Sequence, residues 1–193
     1  MIGRYEEAAA FYRQAADKLI EIRDQLNEGK VRANLAITLE NLGRLDEARN
    51  EIQRAIERLA QFGHAAAPWI TLNILTRIET ETDNGAAAAT AKRSAIACYL
   101  AYRRDGGENH NTEGQLSLAV TESLLAGDSA NATSLLRQLA TDSDLPSDLS
   151  TYIRALQAIV SGSRDRTLAD DPDLNYGMAA EILLLIETLE KRG

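Results

Sequence analysis

Gly43-Arg44-Leu45-Asp46-Glu47-Ala48 is the stretch of this sequence that decides the expected fold. The same arrangement occurs 40 residues earlier as Gly3-Arg4-Tyr5-Glu6-Glu7-Ala8. A partial match occurs at Gly127-Asp128, which is followed by Ala132. In each case a glycine suited to a tight turn precedes a small alanine by five residues. A motif that returns at a fixed spacing of this size predicts a repeat protein, in which each unit packs against the next.

An apolar stripe follows each of the two full copies of the turn. Its members in the first copy are spaced three and four residues apart, as on one face of an α-helix: Tyr5, Ala8, Tyr12, Ala15, Leu19 and Ile22. Adding 40 to each position gives a second stripe that is apolar throughout: Leu45, Ala48, Ile52, Ala55, Leu59 and Phe62. A third step keeps Ala88 and Ala95 but places Lys92 within the stripe. The small residues permit close approach of paired helices, so five residues are predicted to be buried between helices: Tyr12, Ala15, Leu35, Ile52 and Ala55.

The remainder of the chain also carries helical periodicity, and no stretch alternates in period two. The predicted helices are 4–26, 29–42, 45–62, 67–82, 86–104, 111–126, 129–141, 147–161 and 175–191. The predicted turns between them are Asn27-Glu28-Gly29, Leu42-Gly43-Arg44, Asn84-Gly85, Gly106-Gly107 and Ala126-Gly127-Asp128. We therefore expect an all-α fold, arranged as an α-α superhelical solenoid of antiparallel helix pairs.

Gly-Arg-Tyr-Glu-Glu-Ala, with a small residue seven positions later, resembles the turn and second helix of a tetratricopeptide repeat. Leu35, Ala36 and Leu39 resemble the pattern of that family's first helix, although Arg32 stands where the family has a large aromatic residue. The spacing exceeds the usual period of about 34 residues and is similar to the long repeats of kinesin light chains and bacterial regulatory arrays. HEAT-type repeats share the period but not the Gly-x-x-x-x-Ala turn, and they remain the alternative.

The resemblance divides the chain into repeats over 1–141 and a second region over 142–193. The second region is interpreted as a divergent last repeat or, preferably, a capping helix pair. Because the first turn begins at residue 3, the first repeat lacks its helix A, and we expect the chain to be a fragment of a larger protein. The uncovered stripe of the first helix then predicts self-association through Tyr5, Tyr12 and Leu19, for example as a homodimer.

In tetratricopeptide repeats the first helices line a concave face that binds a peptide or a partner helix, and the resemblance implies the same function here. Aligning the helices at 29–42 and 67–82 gives the residues expected on this groove: Lys30, Asn34, Ile37, Asn41, Trp69, Asn73 and Thr76. Asparagine amides both donate and accept hydrogen bonds, which suits recognition of a peptide backbone. The alternatives are that the asparagines are merely solvated and that Trp69 belongs to the core. The alternative function is a regulatory or oligomerising segment of a multidomain signalling protein.

Charge and composition narrow the class of partner. The formal net charge of −8 and a pI near 4.9 argue against nucleic-acid binding. Residues 108–193 contain 6 basic and 14 acidic side chains, which form either a solvated outer face or a surface that favours a basic segment. No apolar run is long enough for a membrane span, the first residues are not a signal peptide, and Cys98 is the single cysteine. We expect a cytoplasmic protein with a protein or peptide partner.

Residues suited to catalysis or metal binding are sparse. His64 and His110 have no second ligand at metal-site spacing. The run from Asp171 to Asn175 resembles the start of a calcium loop, but Ile182 stands where a bidentate glutamate is required, so a helix cap is the better interpretation. We therefore expect no enzyme activity, no cofactor and no metal.

Overall fold

The structure, a computed structural model, describes residues 2–141 and 144–192, and within these ranges the regular elements are all helical. The prediction of an all-α fold is confirmed. The α-helices are α1 (Ile2–Glu21), α2 (Gln25–Asn41), α3 (Leu45–Leu59), α4 (Pro68–Glu81), α5 (Gly85–Arg104), α6 (Thr112–Leu125), α7 (Ser129–Ala140), α8 (Ser147–Val160) and α9 (Tyr176–Glu190). Two short 3-10 segments, Ala60–Ala66 and Arg166–Ala169, follow α3 and α8.

The first turn was predicted at the wrong place. It lies at 22–24, where Arg23 adopts a left-handed backbone (φ 59°) and Asp24 caps α2 by accepting a hydrogen bond from the backbone N–H of Asn27. Gly29, expected in the turn, is instead buried inside α2. Its small size serves packing rather than backbone freedom, because a Cβ atom there would lie 2.5 Å from Cγ of Leu59.

The turn after α2 follows the sequence motif. Gly43 has φ 70°, and the backbone N–H of Arg44 donates to the carbonyl of Leu39 at 2.9 Å, which closes the helix with a Schellman motif. The turn after α4 has the same geometry 40 residues later: Asp83 has φ 55°, and Asn84 donates to the carbonyl of Glu79 at 2.9 Å. The two turns therefore share their backbone geometry, although the left-handed residue of the second turn is an aspartate.

Contacts divide the chain into two compact units, residues 1–98 and 99–193, and the division falls within α5. In the first unit α2 packs against α1, α3 and α4, and α3 also packs against α4. Arg32 pairs with Glu51 near the middle of both helices, and Glu28 near the start of α2 pairs with Arg58 near the end of α3. The two helices therefore run antiparallel. The core of this unit consists of Ala9, Ala33, Leu35, Ala36, Leu39, Ala48, Ile52, Ala55, Ile74 and Ile78.

The predicted burial of Leu35, Ile52 and Ala55 is confirmed, but that of Tyr12 and Ala15 is wrong, because both are only half-buried. α1 packs on α2 through Ala9 and Ala16, which lie one position beyond the predicted alanines. The apolar arc of α1 is wider than one packing face, so periodicity alone did not determine which part of it is covered.

The second unit packs α6 against α7, α8 and α9, and α8 also contacts α7 and α9. Tyr152 of α8 is fully buried at the centre, and its hydroxyl donates to the carbonyl of Glu113 at 3.0 Å. Residues 142 and 143 lie outside the described residues, and the boundary predicted between 141 and 142 falls there.

Candidate partner-binding surfaces

The surface predicted to bind a partner lies on α2 and α4, which are in contact. Nε of Arg77 on α4 donates to Oε1 of Glu40 on α2 at 2.9 Å, and this ion pair joins the two helices directly. Hydrogen bonding to Glu40 raises the pKa of Arg77 above its usual range. The ion pair therefore places a fixed, compensated charge beside the predicted groove residues.

The side chains predicted for the groove differ in accessibility. Lys30, Asn34 and Asn41 are exposed on α2, whereas Ile37 is half-buried there, and Asn73 and Thr76 are half-buried on α4.

Their hydrogen bonds differ as well. The Asn41 amide donates to the carbonyl of Ile37 at 2.8 Å, and the Thr76 hydroxyl donates to the carbonyl of Leu72 at 2.9 Å. Among the described residues, no protein group accepts from or donates to the side-chain amides of Asn34 and Asn73. These two amides therefore have free hydrogen-bonding capacity.

Trp69 occupies a different environment from the rest of the predicted set. It is only 8% exposed, and its ring lies 6.3 Å from the ring of His64, between centroids. The 3-10 segment before α4 brings His64 into this position. A partner would therefore reach little of the indole, and Trp69 contributes chiefly to the interior of the first unit.

A buried charge network between α2 and α3 was not anticipated from the sequence. Arg32 donates to Oε1 of Glu28 at 2.8 Å and to Oε2 of Glu51 at 2.6 Å, and Arg58 donates to Glu28 at 3.1 Å. Burial raises the pKa of Glu28, but hydrogen bonds from Arg32 and Arg58 outweigh it, so the pKa lies below its usual value. The Glu28–Arg32 pair could have been found from the sequence, because residues four apart are neighbours on a helix. The other contacts join residues that are distant in sequence and give no such local pattern.

A second network connects α3 with α4. Arg49 donates to Oε1 of Glu79 at 2.8 Å and to the hydroxyl of Thr82 at 2.7 Å, while the amide of Asn84 donates to Glu79 at 2.9 Å. Glu79 is 4% exposed, so its carboxylate is unavailable to a partner although it neighbours the groove residues in sequence. This network stabilises the position of α4 against α3 rather than forming a binding site.

The outer face of α1 is the second candidate surface. Phe11 on this face is 71% exposed, and Ile22 in the turn that follows α1 is 70% exposed, whereas Tyr5, Tyr12 and Leu19, the residues predicted for self-association, are half-buried. Tyr12 packs against the core of the first unit. A shallow depression runs along this outer face, lined by Phe11, Gln14, Ala15, Asp17, Lys18 and Glu21.

The second unit contains a buried polar cluster around Glu181 of α9. Arg103 donates to its carboxylate at 2.7 Å and Asn109 donates at 3.0 Å, so the 1% exposed Glu181 is fully compensated. The cluster holds the loop between α5 and α6 against α9. Its members satisfy one another, which is typical of a structural network rather than of a catalytic site.

The residues whose types suit metal binding have other roles. Asn175 caps α9 by accepting from the backbone N–H of Met178 at 2.9 Å, as the cap interpretation predicted, and Oδ1 of Asp171 accepts from the backbone N–H of Asp173. Nε2 of His110 lies 2.9 Å from a carboxylate oxygen of Glu108 on the surface. Within 2–141 and 144–192, no group of three or more His, Cys, Asp or Glu side chains is arranged to hold a metal ion.

Two further observations concern membrane insertion and redox chemistry. Over the described part of the chain, no helix combines the length and apolarity needed to cross a bilayer. Cys98 is half-buried, and burial raises the pKa of its thiol, which makes the reactive thiolate scarcer.

No protein-family model matches this chain, and no curated protein matches it either. The resemblance carried by residues 3–8 and 43–48 therefore remains an interpretation of the motif.

Proposed function

We propose that this chain is a tetratricopeptide-like protein-interaction module that binds an extended peptide or a helix of a partner on the surface formed by α2 and α4. The packing of α2 between α1, α3 and α4, together with the repeated turn geometry at Gly43 and Asp83, supports the repeat interpretation. In this proposal the helices form part of a solenoid, and α2 and α4 line its inner face.

The free amides of Asn34 and Asn73 are the observation that carries the proposal. They lie 39 residues apart in sequence, on helices joined by the Glu40–Arg77 ion pair. An amide with unused donor and acceptor groups can bind a peptide N–H and C=O without regard to the peptide's side chains. Lys30, exposed on α2, adds a positive charge for a carboxylate of the partner.

The test is a screen of a random peptide library for saturable binding, followed by titration of the selected peptide by fluorescence anisotropy. Asn34→Ala/Asn73→Ala should weaken its binding by about tenfold, since each lost hydrogen bond contributes about 0.5–1.5 kcal/mol. Thermal stability should remain within about 0.5 kcal/mol of the parent, because neither amide makes an internal hydrogen bond.

Asn50→Ala is the matched control, because Asn50 is an exposed asparagine of α3 in the same unit. It should leave both affinity and stability unchanged. A double variant that binds the peptide as tightly as the parent would refute the α2–α4 groove.

Self-association is the second proposed role, and the exposure of Phe11 on α1 and of Ile22 in the turn that follows it favours this role. Exposed apolar residues concentrated on one helix face are typical of association sites. The half-buried Tyr5, Tyr12 and Leu19 would then border the interface rather than form its centre.

A further inference from the structure

A pocket of about 470 Å³ lies beside α8 in the second unit, apart from the surfaces considered above. Its volume is within the range of small-molecule sites. Ala140, Leu145 and Ile153 form its apolar part. Its polar part consists of six side chains: Ser147, Ser150, Thr151, Arg154, Gln157 and Asp173. An apolar lining with a few converging polar groups is typical of a pocket that binds a small ligand.

Most of the polar side chains of this pocket have unused hydrogen-bonding capacity. Within residues 2–141 and 144–192, the hydroxyls of Ser147 and Ser150 and the amide of Gln157 form no hydrogen bond. The carboxylate of Asp173 likewise has no hydrogen bond or ion pair with the described part of the protein. These groups are therefore available to a ligand.

Arg154 is held in place without being neutralised. Its Nη2 donates to Oγ1 of Thr151 at 2.7 Å, and no described carboxylate forms an ion pair with it, whereas Arg103 and Arg104 each pair with a glutamate. Thr151 is only 5% exposed, and it does not donate to the carbonyl four residues earlier as Thr121 does. The buried hydroxyl thus positions the guanidinium, whose Nε and Nη1 donors remain available.

The charges of the pocket indicate which kind of ligand it fits. Arg154 and Asp173 are an uncompensated cation and an uncompensated anion that line the same pocket. A purely anionic ligand would be repelled by Asp173 and by Asp170 and Asp171, which line the adjoining depression. A purely cationic ligand would be repelled by Arg154. A ligand that carries both charges can pair its carboxylate with the guanidinium and its ammonium with Asp173.

We propose that this pocket binds a free α-amino acid with an apolar side chain. Arg154 binds the α-carboxylate, Asp173 binds the α-ammonium, and the ligand's side chain packs against the apolar part of the pocket. The unused hydroxyl and amide groups donate and accept further hydrogen bonds to the two charged groups of the ligand. This site lies within residues 99–193, so it is independent of the peptide surface on α2 and α4 and of self-association through α1.

The test is isothermal titration calorimetry of the 193-residue chain with four probes, the L-forms of leucine, methionine, valine and phenylalanine. At least one should bind saturably with one site per chain at concentrations up to the millimolar range. The N-acetyl derivative and the amide of that amino acid should each bind at least about tenfold more weakly, because each lacks one of the two charges. Glycine should also bind more weakly, because it has no side chain for the apolar part of the pocket.

Two pairs of variants locate the site. Arg154→Ala and Asp173→Asn should each weaken binding by about tenfold, and both residues are exposed, so the melting temperature should not change. Arg137→Ala and Asp170→Asn are the matched controls, because these exposed residues of the same unit lie outside the pocket, and both should bind as the parent does. Arg154→Lys keeps the charge but loses the planar fork, and should bind with an affinity between those of the parent and Arg154→Ala.

Three results would overturn the proposal. The first is that none of the four amino acids binds the parent. The second is that the N-acetyl derivative or the amide binds as tightly as the free amino acid, which would show that the two charges are not recognised together. The third is that Arg154→Ala and Asp173→Asn bind as tightly as Arg137→Ala and Asp170→Asn, which would place the binding elsewhere.

Discussion

Gly29 provides the sharpest test of the packing between α2 and α3. It is buried within α2, and a Cβ atom at this position would lie 2.5 Å from Cγ and 2.7 Å from Cδ2 of Leu59. Leu59 is 3% exposed on α3, so its side chain has little free space into which to move. Gly29→Ala therefore sets a gain in helix propensity against a steric clash.

The two effects can be compared in magnitude. Alanine is more favourable than glycine in a helix interior by about 0.8–1.0 kcal/mol. Overpacking of a well-packed core costs about 1–3 kcal/mol. We expect Gly29→Ala to lower the free energy of unfolding by up to about 2 kcal/mol in the parent, and to raise it by about 1 kcal/mol in a Leu59→Ala background, where the clash is absent.

The assay is urea denaturation of the parent, the two single variants and the double variant. Trp69 is the single tryptophan and lies in residues 1–98, so its fluorescence follows the unit that contains both positions. Leu59→Ala alone should destabilise this unit by about 2–5 kcal/mol, and the interaction energy between the two sites should be about 1–3 kcal/mol. If Gly29→Ala stabilises both backgrounds equally, the close contact between Gly29 and Leu59 does not exist.

The remaining predictions concern the repeat core and the pH dependence of stability. Ile52→Ala should lower the free energy of unfolding by about 2–5 kcal/mol through a cavity, and Ala55→Leu should lower it by about 1–3 kcal/mol through overpacking; unchanged denaturation curves would contradict the repeat packing. Hydrogen bonds from Arg104 hold the pKa of Glu187 below its ordinary value of 4.5, so the ionised carboxylate stabilises the fold above pH 4.5, and this contribution is lost as the pH falls through the lower folded-state pKa. The free energy of unfolding should therefore decrease more steeply below pH 4.5 for the parent than for Glu187→Gln, and equal slopes would show that the Arg104–Glu187 pair does not stabilise the ionised form.

Helix positions were predictable wherever the turn residue carries a chemical signal. Gly43 and Gly127 occupy left-handed positions after α2 and α6, where glycine is favoured, and both turns were predicted correctly. Arg23 occupies the same conformation after α1, but an arginine gives no such signal, so the turn was assigned to the nearby Gly29. The N-cap Asp24 was the available clue to the true helix start.

The candidate surfaces were less predictable, because they depend on which helices meet. Asn34 was predicted to be accessible and is, but the burial of Trp69 follows from its packing near His64, which periodicity does not reveal. On α1 both sides of the helix carry apolar residues, so the pattern alone could not distinguish the covered Ala9 from the uncovered Phe11. The Arg49–Glu79 and Arg77–Glu40 contacts join separate helices and leave no local pattern.

These inter-helix ion pairs also help a chain of similar helices to fold with the correct helices as neighbours. Glu28, Glu79 and Glu40 each find an arginine on a particular neighbouring helix, and the carboxylates of all three are shielded from solvent. A helix docked in the place of a related one would leave such a carboxylate without its interhelical arginine, which is unfavourable because a shielded charge requires compensation. Misassembly between like repeats is a characteristic hazard of repetitive chains. These interhelical arginine–glutamate pairs thus distinguish the correct neighbour from its near-copies, a discrimination that the interchangeable alanines and leucines of the core do not provide.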